Sequence, residues 1–174
     1  MIMMKFWPLP LFAHPPLRWL WLAALVVALD QWTKALVLAY FAPYDTLAVL
    51  PHVNLTLRFN TGAAFSLLAD AGGWQRWFFV SLALAVSAGI LIWLTRLPAR
   101  GQHWLACALA LVLGGAIGNV IDRIVHGHVV DFIELYYGRF YWPAFNVADS
   151  AITAGAVMLV LDGLFGSGTD KRDS

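Results

Sequence analysis

A bundle of four membrane-spanning helices with a small β-sheet in its outer loops is the fold class this sequence predicts. Three observations predict it. Apolar residues make up 61% of the 174-residue chain and charged residues only 12%, with a mean hydropathy of +0.72. A soluble domain carries about 25% charged residues, so this chain lacks the polar surface to cover a water-exposed globule. Four apolar stretches reach the roughly 20 residues that a helix needs to cross a bilayer core. Two of the connections carry residues of strand type rather than featureless polar sequence.

The spans follow in order at about 19–41, 74–94, 104–123 and 144–165, within a single integral membrane domain covering 1–174. Trp19, Trp21, Tyr40, Trp74, Trp77, Trp93, Trp104, Tyr141 and Trp142 mark their ends. Such rings favour the headgroup level. The first span is too long for a signal-peptide core, carries Asp30 and Lys34, and has no small-residue cleavage site close behind it, so it reads as a retained helix. Lys5 in the arm (1–17) and Arg18 just after it, Arg96 and Arg100 in the second loop, and Lys171 and Arg172 in the tail favour both termini in the cytoplasm. The opposite side holds Arg58, Arg76, Arg123 and Arg139, so the bias is modest. The tail at 167–174 is polar and rich in small residues, a composition that predicts disorder.

In the outer loops, Asn54 to Asn60 alternates polar and apolar. Thr46 to Leu50 is placed to pair with it across Pro51 and His52, and Val129 to Tyr137 is β-branched and aromatic. These segments predict a small sheet on the outer membrane surface.

The net charge of +1 offers no basic stripe for a nucleic acid to follow. The one cysteine, Cys107, excludes an intrachain disulfide framework and a cysteine zinc site, and its apolar run makes it a buried packing residue.

Charges inside a bilayer cost at least a few kcal/mol each and are rare there. Here they gather at one depth. Asp30 and Lys34 fall in the outer half of the first span, Asn119, Asp122 and Arg123 at the outer end of the third, and Asn146 and Asp149 in the first turns of the fourth. Asp131 lies in the loop between the last two, and the inner halves carry essentially no charge. Spacings of three and four put each helical set on one face. Gly114 and Gly118 form a small-xxx-small pair that lets the third helix approach a neighbour.

Each set admits two readings. Asp30 and Lys34 form either an intrahelical ion pair that makes insertion tolerable or part of a site. Asp122 and Arg123 are either an interfacial anchor or functional. Asn119 and Asn146 suit interhelical hydrogen bonds better than acid–base work. Asp149 has no basic neighbour in its own helix, and Asp131 is flanked by Val129, Val130, Phe132 and Ile133, a setting that raises a carboxyl pKa. The two make a candidate catalytic carboxylate pair. Ser66 and Ser150 lack a nucleophile motif and read as structural, and His126 and His128 read as solvated loop residues too sparse for a metal site. A proton-conducting protein or transporter would need polar residues at successive depths, which the apolar inner halves do not supply.

Five blocks carry a resemblance. They are Asp30-Gln31-Trp32-Thr33-Lys34, Asn60-Thr61-Gly62-Ala63-Ala64-Phe65-Ser66, Gly118-Asn119-Val120-Ile121-Asp122-Arg123, Val129-Val130-Asp131-Phe132-Ile133 and Phe145-Asn146-Val147-Ala148-Asp149-Ser150. In this order, on this span pattern, the chain resembles the lipoprotein signal peptidases (signal peptidase II), membrane aspartic proteases that mature bacterial lipoproteins. The resemblance implies that Asp131 and Asp149 are the catalytic dyad. It implies a supporting polar shell of Asp30, Lys34, Asn60, Asn119, Asp122, Arg123 and Asn146. It also implies a diacylglyceryl-modified prolipoprotein as substrate, membrane lipid as surroundings, and a place in the bacterial inner membrane with the site near the outer face. Such a dyad needs no metal, no other cofactor and no covalent intermediate. Nothing in the sequence demands more than a monomer.

Overall fold

The computed structural model describes residues 15–62 and 72–165. The expectations for the first part of the N-terminal arm, for Ala63 to Ser66 and for the tail lie outside the described residues. A short 3₁₀ turn at Pro15–Trp19 leads into α1 (Leu20–Tyr40). Strands β1 (Thr46–Leu50) and β2 (Val53–Asn60) follow, then α2 (Trp74–Arg96) and α3 (His103–Val125). Strands β3 (Val129–Tyr137) and β4 (Phe140–Tyr141) precede α4 (Val147–Phe165). All four α-helices are long and apolar enough to cross a membrane.

The helices differ in what surrounds them. In α3, 61% of the spanning window is buried, against 17–28% for the other three. That makes α3 the hub, with α1, α2 and α4 packed around it. Large apolar side chains on the outer helices, such as Leu82, Leu91, Ile92, Val157 and Val160, are exposed on the bundle surface, as lipid-facing residues require. Small residues let the backbones meet. A Cβ added to Gly114 would stand 2.7 Å from the Ala23 carbonyl oxygen of α1, and one added to Gly155 of α4 would stand 2.7 Å from the Ala108 carbonyl oxygen of α3. The small pair expected at Gly114 and Gly118 does face α1. Away from the sheet, Leu17, Leu94, Leu97, Leu105, Leu109 and Leu113 form an apolar core.

The sheet is antiparallel with strand order β1-β2-β3-β4. It sits at the end of the bundle where α1 and α3 finish and α2 and α4 begin. The β2–β3 register slips between Leu55 and Arg58. A smaller apolar cluster of Val37, Leu57, Val130 and Phe132 seats the sheet on α1.

Two expectations need correction, and one strand was not expected. The fourth helix begins at Val147 rather than near 144, because Phe145 pairs as an isolated bridge with Ile133 and keeps the chain extended. Asn146 therefore caps the helix instead of lying on its face. Cys107 is half-buried on α3, not fully packed. The short strand β4, which no alternation announced, turns back on β3 through Tyr136 and Tyr137.

Candidate active site

The sheet end gathers the polar residues because three elements converge there. After Val125 the chain turns through Gly127, whose φ of 84° favours glycine, and enters β3. Two residues into that strand stands Asp131, buried at 2% exposure. Asn60, at the end of β2, donates from its Nδ2 to Asp131 Oδ2 at 3.1 Å.

Asp149 reaches the same place from the first turn of α4. Asn146 Oδ1 accepts from the Asp149 backbone N–H at 2.8 Å, and Asp149 Oδ2 accepts from the Asn146 backbone N–H at 3.3 Å. This is a reciprocal capping box, which satisfies two donors that a helix start leaves unpaired. The Asn146 amide, fully buried, then donates from Nδ2 to Asp131 Oδ1 at 2.7 Å. One asparagine thus touches both carboxylates. From α3, Asn119 Nδ2 donates to Asp149 Oδ1 at 2.8 Å.

Burial, and then the negative charge of Asp149, push the Asp131 carboxyl up to about 7. The Asn60 and Asn146 amides and the Lys34 charge oppose this but do not cancel it. The rise was expected from the apolar flanks of Asp131.

A second layer lies behind the pair. Lys34 Nζ is 2.8 Å from Asp30 Oδ2 and 2.8 Å from Asp122 Oδ2, and it donates to Asn119 Oδ1 at 3.2 Å. Asp30 Oδ1 accepts from the Ala148 N–H at 2.9 Å, and Asp122 Oδ2 from the Val130 N–H at 3.0 Å. A Cβ on Gly118 would stand 2.7 Å from Asp30 Oδ2, so glycine there leaves room for the carboxylate. Arg123 donates to the Gly62 carbonyl at 2.8 Å and to the Asn119 carbonyl at 3.3 Å, with its guanidinium 5.2 Å from the Phe79 ring centroid.

Residues 22–165 match the family model described as signal peptidase (SPase) II. The chain belongs to the signal peptidase II family. It is 50% identical over 165 residues to a lipoprotein signal peptidase of Alteromonas mediterranea, covering 95% of this chain and 90% of that protein. It is 57% identical over 148 residues to the lipoprotein signal peptidase of Pseudomonas aeruginosa, covering 84% and 87%. A lipoprotein signal peptidase of Xanthomonas axonopodis pv. citri is 55% identical over 158 residues, covering 90% and 89%. Among solved structures, a bacterial membrane enzyme determined by the in meso method at 2.3 Å resolution superposes with a TM-score of 0.77. That pair is 28% identical over 90% of this chain and 93% of the other.

All nine residues singled out in this signal peptidase II sequence join one connected hydrogen-bonded network. Sequence reasoning missed Gln31. Its Nε2 donates to Asp122 Oδ1 at 2.9 Å, and to Asp30 Oδ2 and the Gly118 carbonyl at 3.2 Å each. An amide beside a charged residue inside a spanning helix was the signal that could have found it. Ser150 is structural, donating to the Asn146 carbonyl at 2.9 Å. His126 is exposed as expected. His128 is half-buried instead, with its ring 4.3 Å from that of Phe59, and burial lowers its pKa.

Proposed function

We propose that this chain is an intramembrane aspartic endopeptidase that removes the signal peptide from diacylglyceryl-modified prolipoproteins, cutting on the N-terminal side of the lipidated cysteine. One observation carries the aspartic reading. Asp131 and Asp149 come from different elements, share Asn146 as a hydrogen-bonding neighbour and, among the described residues, have amides rather than a cation as their direct side-chain partners. Membership of the signal peptidase II family supports the substrate.

Two carboxylates in a poorly solvated site resist ionising together, so the pair holds one proton between them. We place that proton on Asp131, where the charge of Asp149 adds to the effect of burial. Asp149, half-buried and accepting from Asn119 and from the Asn146 backbone, is the ionised partner. It takes a proton from the attacking water while Asp131 donates a hydrogen bond to the scissile carbonyl oxygen. Collapse of the tetrahedral intermediate returns the proton to the leaving amine. Neither a metal nor an acyl-enzyme takes part.

Arg96 and Arg100 at the opposite end of the bundle support both termini in the cytoplasm and the sheet end at the outer face of the inner membrane. There the dyad meets water from outside and a lipidated cysteine from the side. The chain works as a monomer surrounded by membrane lipid, and the loop from Tyr136 to Trp142 helps to hold the peptide. The deciding experiment follows uncleaved prolipoprotein in cells that depend on Asp131→Asn or Asp149→Asn variants. Accumulation in both supports the assignment, and normal processing in both rules it out.

A further inference from the structure

The layer behind the carboxylate pair has a symmetry that charge compensation alone does not require. Asp30 grips the backbone N–H of Ala148, the residue immediately before Asp149. Asp122 grips the backbone N–H of Val130, the residue immediately before Asp131. Lys34 joins the two grips through one nitrogen, at 2.8 Å to each. Its third contact, to Asn119 Oδ1, fixes which way that amide faces, so that Nδ2 is turned to Asp149. Gln31 forms a second crosspiece between the same two carboxylates.

We propose that Lys34 is a positioning residue whose ammonium, through Asp30 and Asp122, sets the separation of the Asp131 and Asp149 carboxylates. The inference rests on the reading of those two residues as the dyad. The ammonium suits this task because it is compact and directs three donors from one point. A guanidinium carries the same charge but spreads its donors over a plane, so it cannot meet three acceptors at one nitrogen. Misplacing a reacting group by about 1 Å can cost about 100-fold in rate.

The test measures kcat and KM on purified full-length protein in lipid vesicles, with a synthetic signal peptide bearing a diacylglyceryl cysteine, beside thermal unfolding of each variant. Lys34→Arg keeps the charge and is expected to lower kcat about 100-fold with KM within about twofold. Asp30→Asn and Asp122→Asn keep an acceptor oxygen for the gripped N–H and are expected to retain more activity than Asp30→Ala and Asp122→Ala. Gln31→Leu alters no charge and removes one crosspiece, so kcat is expected to fall about 3- to 10-fold. Wild-type kcat in Lys34→Arg overturns the proposal, as do losses that simply follow the folded fraction. Equal activity in the Asn and Ala variants also overturns it. Asp131→Asn and Asp149→Asn are run alongside. If they cleave normally, the dyad reading has failed. If they are inactive while Lys34→Arg is normal, only the brace has failed.

Discussion

At the sheet end of the bundle Asp30 and Asp122 share the Lys34 ammonium, whereas among the described residues Asp131 and Asp149 share Asn146 and are otherwise met by the amides of Asn60 and Asn119. Each pair draws its two carboxylates from different elements, α1 and α3 for the first and β3 and α4 for the second, and three of the four residues are buried almost completely. They differ in how their charge is met. An ammonium 2.8 Å from each of two carboxylates meets their charge directly and ties them together. An amide N–H donates a hydrogen bond but brings no net charge, so the second pair keeps an excess of negative charge that one proton relieves. Under the proposed function, the first pair holds structure and the second moves protons.

The largest effect that tests this contrast is on turnover. Asp131→Asn and Asp149→Asn preserve shape and much of the hydrogen bonding, yet are expected to lower kcat/KM by roughly 10⁴-fold while leaving the thermal midpoint near that of the parent. Lys34→Met should show the converse emphasis. It strands two buried carboxylates and is expected to destabilise the protein by about 3–5 kcal/mol, read from unfolding in detergent.

The pH dependence separates the pairs next. Asp131 rises in the folded protein from the ordinary 3.8 to about 7, so folding favours its protonated form. Its contribution to stability is complete below 3.8 and is lost as pH rises towards about 7. The thermal midpoint should therefore fall between pH 4 and about 7, and Asp131→Asn should flatten that part of the profile. A profile unchanged by the substitution would contradict the assignment of the raised carboxyl.

Glycine substitutions give a smaller and more local comparison. Gly118→Ala intrudes on Asp30, and Gly155→Ala on the Ala108 carbonyl. Each is expected to destabilise by about 1–3 kcal/mol. Only Gly118→Ala should also lower the turnover of the molecules that remain folded, as measured by active-site titration. The smallest effect is expected at the sheet surface. Glu134 accepts from Asn54 at 3.0 Å and faces Arg58 at 3.9 Å, in a partly exposed setting. Glu134→Gln keeps the acceptor and should change stability by less than about 1 kcal/mol.

Much of this arrangement was legible along the chain. The four spans, the hairpin at Thr46–Leu50 and Val53–Asn60, and the long strand Val129–Tyr137 all follow from local period and residue type. The depth of the polar residues followed as well, because alternating spans bring successive helix ends to one side. The Asp30–Lys34 contact was legible as an i, i+4 pair. Asn146 and Asp149 were seen as neighbours three residues apart. Their capping box was not, because it depends on where the helix starts, and Phe145 decides that by pairing with Ile133.

The sequence by itself determined the helices, the three longer strands, and the level at which the carboxylates sit. These depend on helix rise, side-chain alternation and the energy of charge in lipid, all of which act over a few neighbouring residues. Only the tertiary structure decided which carboxylate meets which partner. Lys34 lies between Asp30 and Asp122, and not beside Asp131 or Asp149, because the close α1–α3 approach at Gly114 and Gly118 aims it there. β3 folds back from α3 to set Asp131 against Asn146. Pairing of this kind depends on helix crossings and strand register, which bring together residues that no local pattern relates.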